Sequence, residues 1–160
     1  MDSAKARSAV IAVAAAGVIT SLAGCATMPG NDPMAKSPAH RAVITAANKH
    51  DVPVHVALAF ATVESGMRCN ATSHAGARGV MQVMPGTARK HGVNPAKLHN
   101  CDTGAMAGVL ELRECLERTD GNIARAAICY NAGPGALNWR SLPRETQHYI
   151  TKIKRQLGTR

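Results

Sequence analysis

The sequence predicts a mainly α-helical, α+β domain carrying one small β-hairpin and a cleft, and three observations lead there. The chain is rich in alanine and holds only one Trp, two Tyr and one Phe, so helices packed through small side chains fit better than a sandwich of strands. After residue 38 most of the sequence falls into segments with helical spacing of apolar residues and recognisable starts and stops. Between two of these segments runs a glycine-punctuated loop in which V-M-Q-V-M, at 80–84, alternates apolar and polar side chains in the pattern of a short, half-exposed strand. A length of 160 residues leaves room for one domain with a true core and short extras.

Residues 1–24 read as a targeting segment. Lys5 and Arg7 give a charged start, Val10 to Leu22 is an apolar run too short and alanine-rich for a comfortable membrane span, and L-A-G-C ends it at Cys25. This resembles the lipobox of bacterial lipoproteins, which implies cleavage before Cys25 and acylation of its thiol; an ordinary secretory signal cut slightly later is the alternative. Two or more acyl chains make a stable anchor. Residues 26–38 contain three prolines and no periodicity and read as a tether, reaching about 40 Å when extended. The folded domain is then expected over 39–160.

Its helices come in order along the chain. Ala39 to His50 places Val43, Ile44 and Ala47 on one side, and the next helix starts at Pro53 with Asp51 as a candidate cap. That second helix, V-P-V-H-V-A-L-A-F-A-T-V, is apolar almost throughout and is stopped by Gly66. A short helix spans Pro85 to Lys90, closed by Gly92. Asp102 is read as the cap of a longer one reaching about Arg118, with Met106, Val109, Leu110, Leu112 and Leu116 on its apolar side. Asn122 to Tyr130 precedes the turn N-A-G-P-G, and Pro143 to Leu157, ended by Gly158, carries Lys152, Lys154 and Arg155 near its C-terminus, where they suit the helix dipole.

Glu64 stands at the end of the apolar helix, immediately before S-G. Both the negative end of the helix dipole and loss of solvent disfavour its ionised form, so its carboxyl is expected to keep a proton near neutrality, as a general acid must. The competing reading is an ordinary last-turn surface glutamate. The residues after Glu64 favour the acid: Gly76, Gly79 and Gly86 let backbone approach itself or a ligand closely, and the alternating stretch would set the Gln82 amide beside the carboxyl.

Residues 64–88, from E-S-G through V-M-Q-V-M-P-G-T-A, resemble the catalytic core of the soluble lytic transglycosylases, relatives of goose-type lysozyme that cleave peptidoglycan. A-I-C-Y-N-A-G-P-G at 127–135 and P-R-E-T-Q-H-Y-I at 143–150 resemble that family's two later motifs, in the same order. The resemblance implies a lysozyme-like fold and an enzyme without cofactor or metal, in which Glu64 protonates the glycosidic oxygen and then takes the C6 hydroxyl proton to leave a 1,6-anhydromuramoyl end. It also implies substrate contacts from Ser73, Gln82, Met84, Tyr130, Asn131 and Glu145, with the Tyr130 hydroxyl given to the acid or to the acetamido group. Each has a plainer reading: Met84 as core filler, Tyr130 as a core tyrosine, Glu145 as a first-turn glutamate favoured by the helix dipole. Ser65 is expected to hydrogen-bond locally. Where many relatives carry an aromatic and then Asn-Pro after E-S-G, this chain has Met67, Arg68, Cys69 and Asn70, so the lip of the cleft differs.

Glycosidases usually set two carboxylates across the scissile bond. Here the other acids fall in the leader, the tether, helix caps or a charged helix face, and only Glu145 shares a stretch with site-like residues, which favours a single-carboxyl mechanism. A hydrolase that activates water, or a noncatalytic glycan-binding adaptor, would use the same fold.

Five cysteines become an even set once Cys25 is assigned to lipid, leaving Cys69, Cys101, Cys115 and Cys129 in an exported chain. Of three pairings, Cys115 with Cys129 is preferred because a helical hairpin through R-T-D-G-N brings them together, which leaves Cys69 with Cys101. Cys101 with Cys115 is disfavoured, since a continuous helix holds them about 20 Å apart. Zinc is set aside for want of a C-x-x-C or a close His pair. The net charge of +9, about +8 once Asp2, Lys5 and Arg7 leave with the signal, calls for an anionic neighbour. Scattered Lys and Arg, few aromatics and no groove-reading motif speak against nucleic acid. Peptidoglycan and a membrane reached by the anchor fit instead, on the periplasmic side of the envelope. A small tethered cutter of this kind would also suit a secretion or conjugation machine, though no residue identifies one.

Overall fold

A helix without a polar face needs cover on every side, and α2 (Val54–Ser65) receives it. Val56, Ala57, Ala59, Phe60 and Ala61 are buried along it, and it packs between α1 (Pro38–Lys49) and α6 (Arg144–Gln156). The computed structural model describes residues 37–158. The targeting segment, Cys25 and the tether up to residue 36 lie outside them, while Ser37 and Pro38, expected to end the tether, instead cap and begin α1.

Around α2 the remaining helices are α3 (Pro85–Lys90), α4 (Cys101–Glu117) and α5 (Ile123–Ala132), with short 3-10 turns at Pro95–Lys97 and Pro134–Asn138. Helix α1 lies along both α2 and α4, α4 along α5, and α5 along α6. The main core is built of Phe60, Met81, Leu98, Leu112, Ile153 and many small side chains, with a smaller cluster at Cys115, Ala126 and Cys129. Among the described residues, no helix is long and apolar enough to cross a membrane.

The helix ends show which side chains satisfy the free N–H groups. Ser37 caps α1, accepting from the His40 N–H, and Asn122 caps α5, accepting from Arg125. Two expected caps are elsewhere. Asn100, rather than Asp102, accepts from the Thr103 N–H at the start of α4, leaving Asp102 in the first turn. Pro53 itself occupies the cap position of α2, while Asp51 turns the chain at φ 56°.

The sheet is smaller than the alternation at 80–84 predicts. Arg78 forms isolated antiparallel bridges with Thr72 and with Val83, and 80–82 is a turn with Gln82 at φ 49°. Val80, Met81 and Val83 are all buried, so the stretch is a loop packed into the core. Glycine makes that packing possible. Gly79 sits at φ 82°, where a Cβ would collide with the Leu98 carbonyl, and a Cβ on Gly108 of α4 would collide with the Met81 side chain. Gly86, by contrast, lies inside α3 with open space around it.

Both preferred disulfides are present, Cys69–Cys101 tying the loop after α2 to the start of α4 and Cys115–Cys129 joining α4 to α5, with Cα separations of 5.0 and 5.6 Å.

Candidate active site

Gly66 ends α2 in the left-handed conformation at φ 62°, and its N–H donates to the Thr62 carbonyl at 2.9 Å. Glu64 is thereby fixed in the last turn of a helix wrapped in apolar side chains. Burial raises its carboxyl from an ordinary value of 4.5 to about 7, and a hydrogen bond from Tyr149 opposes the rise. The Tyr149 hydroxyl donates to Glu64 Oε1 at 2.6 Å. Tyr149 is itself buried on α6, and its own proton is held well above the usual tyrosine range by burial and then by the nearby Glu64 charge. It is therefore a permanent donor to the carboxyl.

Tyr149 is the functional residue that sequence reasoning missed, although it lies within the P-R-E-T-Q-H-Y-I motif. Thr146, Tyr149 and Ile153 form the buried stripe of α6 at spacings of three and four. A tyrosine predicted on such a stripe needs a buried partner for its hydroxyl. That requirement was the available signal.

Tyr130 reaches the same region but gives its hydroxyl elsewhere. It donates to the Met81 carbonyl at 2.8 Å, so of its two expected partners, the acid and the substrate's acetamido group, the acid does not receive it. Burial, with Glu64 as the next cause, raises its proton affinity well above the usual range. Phe60, one turn before Glu64, meets both tyrosines edge-on, with ring centroids 5.3 Å from Tyr130 and 6.2 Å from Tyr149. Three of the four aromatics thus form one support under the carboxyl.

The loop is pinned by side chains. Ser65, buried beside the acid, donates to the Val80 carbonyl at 2.7 Å and accepts from the Arg68 N–H at 2.9 Å, so the local bonding expected of it also spans to the loop. Gln82 does not offer its NH2 to the carboxyl. It donates to the carbonyls of Gly79 at 2.9 Å and Ala71 at 3.2 Å, because the left-handed turn at Gln82 folds its side chain back over the loop. Ser73 accepts from the Ala77 N–H at 3.0 Å and closes the adjoining turn. Met84 is 43% exposed, which excludes the core-filler reading. Asn131, exposed at the end of α5, accepts from the Thr146 hydroxyl at 3.0 Å, and Glu145 is exposed in the first turn of α6.

Other charged groups form a separate structure. Lys90 contacts Glu111 at 2.6 Å and Glu114 at 2.9 Å, and His91 Nε2 lies 2.7 Å from Glu111. The His91, Glu111 and Glu114 ligand atoms converge closely enough for a metal ion. The Lys90 ammonium bridges both carboxylates and Arg118 also pairs with Glu114, so the cluster reads as an ion-pair clasp between α3 and α4. Two grooves around His55, Gly121 and Ile123 lie at the opposite end of α2. Nine residues of helix, about 14 Å, separate His55 from Glu64.

A largely buried carboxyl raised towards neutrality, with a fixed tyrosine donor, has the chemistry that a general acid requires. The transglycosylase SLT domain family model matches residues 41–151, the whole stretch that builds this arrangement. The chain belongs to the SLT domain family. Its SLT domain is 33% identical over 95 residues to the transglycosylase of Enterobacteria phage PRD1, covering 59% of this chain and 34% of that protein. It is 33% identical over 94 residues to the soluble lytic murein transglycosylase of Escherichia coli K12, covering 53% of this chain and 14% of that protein. The membrane-bound lytic murein transglycosylase D of the same strain is 26% identical over 125 residues, covering 66% of this chain and 27% of that one. In three dimensions the SLT domain is similar to an inactive glutamate-to-glutamine mutant of lytic transglycosylase Slt from Pseudomonas aeruginosa, with a TM-score of 0.63, 26% identity, and coverage of 72% of this chain and 22% of that one. The chain thus spans about a third or less of the length of these relatives.

Proposed function

We propose that this chain is a peptidoglycan lytic transglycosylase that cleaves the β-1,4 bond between N-acetylmuramic acid and N-acetylglucosamine, with Glu64 as its single acid and base. The observation that carries the reading is the opposed pair of influences on Glu64. Burial favours the protonated carboxyl, which can donate to the glycosidic oxygen; the Tyr149 hydroxyl favours the carboxylate left behind. A residue that must be acid in one step and base in the next needs both. Relatives named as lytic murein transglycosylases, and the inactive glutamate-to-glutamine form of a structural neighbour, support the same assignment.

In this mechanism the glycosidic bond breaks as Glu64 gives up its proton, and positive charge develops at the muramoyl C1. The substrate's own acetamido group stabilises that centre, in the place of a second protein carboxylate. The Glu64 carboxylate then removes the proton from the C6 hydroxyl of the same sugar, whose oxygen closes on C1 to give the 1,6-anhydro end. Atoms and charge balance without water or cofactor.

Tyr149 positions the carboxyl. Tyr130, Ser65 and Gln82 hold the loop against it through backbone carbonyls, so Gln82 and Tyr130 act on substrate through that loop's shape. Met84, exposed beside the loop, and Asn131, at the end of α5, are the assigned direct substrate contacts, with Ser73 and Glu145 at its margins. Acylation of Cys25 would tether the domain to a bacterial membrane on the periplasmic side, and the net positive charge suits an anionic envelope.

The test is digestion of purified sacculi by the full-length protein and its Glu64→Gln variant. Release of soluble muropeptides by the wild type and a loss of at least about 10³-fold in the variant is the expected result, given how little of a single-acid mechanism survives without its proton. Equal activity of the two would overturn the assignment, and inactivity of both would leave a noncatalytic glycan-binding adaptor.

A further inference from the structure

The four aromatics of this chain divide three to one. Phe60, Tyr130 and Tyr149 are gathered around Glu64, whereas Trp139, the sole tryptophan, is 49% exposed. An indole is among the most strongly apolar side chains, so holding one in water forfeits burial that a flexible loop would recover by folding over it.

This loop is not free to do so. Trp139 follows the 3-10 turn Pro134–Asn138, and its N–H donates to the Ala136 carbonyl at 3.1 Å. Ala136 is buried, and Leu137 packs against the Cys115–Cys129 disulfide cluster. The feet of the loop are joined where the Thr146 hydroxyl donates to Asn131 at 3.0 Å. Its two stems are α5 and α6, the helices that deliver Tyr130 to Met81 and Tyr149 to Glu64. The indole is therefore held out by a turn anchored on the Cys115–Cys129 cluster, between the helices that carry Tyr130 and Tyr149.

We propose that Trp139 is a sugar-stacking platform, a binding subsite on the lip of the cleft that takes the C–H face of an N-acetylhexosamine unit of the glycan strand away from the cleaved bond. The inference rests on the glycan-cleaving reading of Glu64 for its choice of ligand. A pyranose ring presents a flat patch of C–H groups on one face and hydroxyls at its rim, which matches an exposed indole with polar surroundings. Asn138 and Arg140, both exposed beside it, offer the donors such a rim accepts. Preorganisation by the anchored turn spares the ordering cost that binding would otherwise carry.

Because no other tryptophan is present in the full chain, intrinsic fluorescence reports on this residue alone. The experiment titrates the full-length Glu64→Gln protein with the hexamer of β-1,4-linked N-acetylglucosamine, and in parallel with anionic phosphatidylglycerol vesicles. A saturable blue shift with protection from acrylamide quenching is expected with the hexamer. In the Glu64-containing protein, Trp139→Ala should raise KM on sacculi about tenfold with a much smaller change in kcat, and Trp139→Phe should recover most of the loss. Unchanged emission in the presence of saturating hexamer, a shift with vesicles alone, or a wild-type KM in Trp139→Ala would each overturn the proposal. These results are separable from a failure of the catalytic reading: in that case sacculi stay intact with the wild-type protein while the hexamer still shifts the emission, and the platform stands.

Discussion

Replacing Tyr149 with Phe removes one hydroxyl and leaves the ring that Phe60 supports. That hydroxyl donates to Glu64 Oε1 at 2.6 Å, and its effect is to lower a carboxyl pKa that burial has raised to about 7. A hydrogen bond to a charged group is worth about 1.5–3 kcal/mol, which at 1.36 kcal/mol per unit corresponds to about one to two pH units. Because the bond stabilises the ionised form, its loss moves the pKa further upward. The first step needs Glu64 protonated, so kcat/KM for the free enzyme should fall as pH rises through that pKa. The assay is kcat/KM on soluble muropeptide fragments from pH 5 to 10. The basic limb should lie near pH 7 in the wild type and one to two units higher in Tyr149→Phe, together with a lower plateau from the less well-positioned carboxyl. An unmoved limb, or one displaced to lower pH, would refute the assignment of Tyr149 as the donor to Glu64.

The same contacts imply three further outcomes. Between pH 4.5 and about 7 the folded state keeps a proton on Glu64 that the unfolded chain releases, so stability declines as pH rises through that window. Glu64→Gln escapes this and should match the wild type in unfolding free energy near pH 4 but exceed it at pH 8, by at most roughly 3.4 kcal/mol, as read from denaturant unfolding at the two pH values. Gly79→Ala places a methyl group on a left-handed backbone against the Leu98 carbonyl and should cost about 2 kcal/mol or more in denaturant unfolding, a loss that Gly86→Ala, in open space, does not share. Reduction of the Cys115–Cys129 and Cys69–Cys101 bridges, which close spans of 14 and 32 residues, should lower unfolding free energy by about 3 and 4 kcal/mol respectively, read from single Cys→Ser pairs.

The place of Glu64 in the last helical turn and the Gly66 stop were legible because both depend on local order: an apolar helical run, Glu, then Gly. The cysteine pairing was legible for a related reason, since helix length alone separates Cys101 from Cys115. What resisted reading depends on contacts between distant parts of the chain. V-M-Q-V-M alternates like a strand, yet Gly79 and the close approach of α4 at Gly108 draw Val80, Met81 and Val83 inward together and turn Gln82 into the left-handed region. Tyr130 and Tyr149 are both plausible donors to the acid by motif, and only the packing of α5 and α6 on Phe60 decides that one serves the loop and the other the carboxyl. Asn100 and Asp102 are equally good caps by residue type, and the register of α4 on its neighbours selects the first.

The most direct test of the account is the mass of the glycan end produced by the wild-type protein acting on purified sacculi. If the Glu64 carboxylate recovers its proton from the sugar's own C6 hydroxyl, the muramoyl end is an anhydro sugar, lighter than the reducing end by one water and inert to borohydride. A reducing muramoyl end, labelled by heavy-oxygen water, would show that Glu64 activates solvent instead and would contradict the intramolecular closure on which the single-carboxyl mechanism depends.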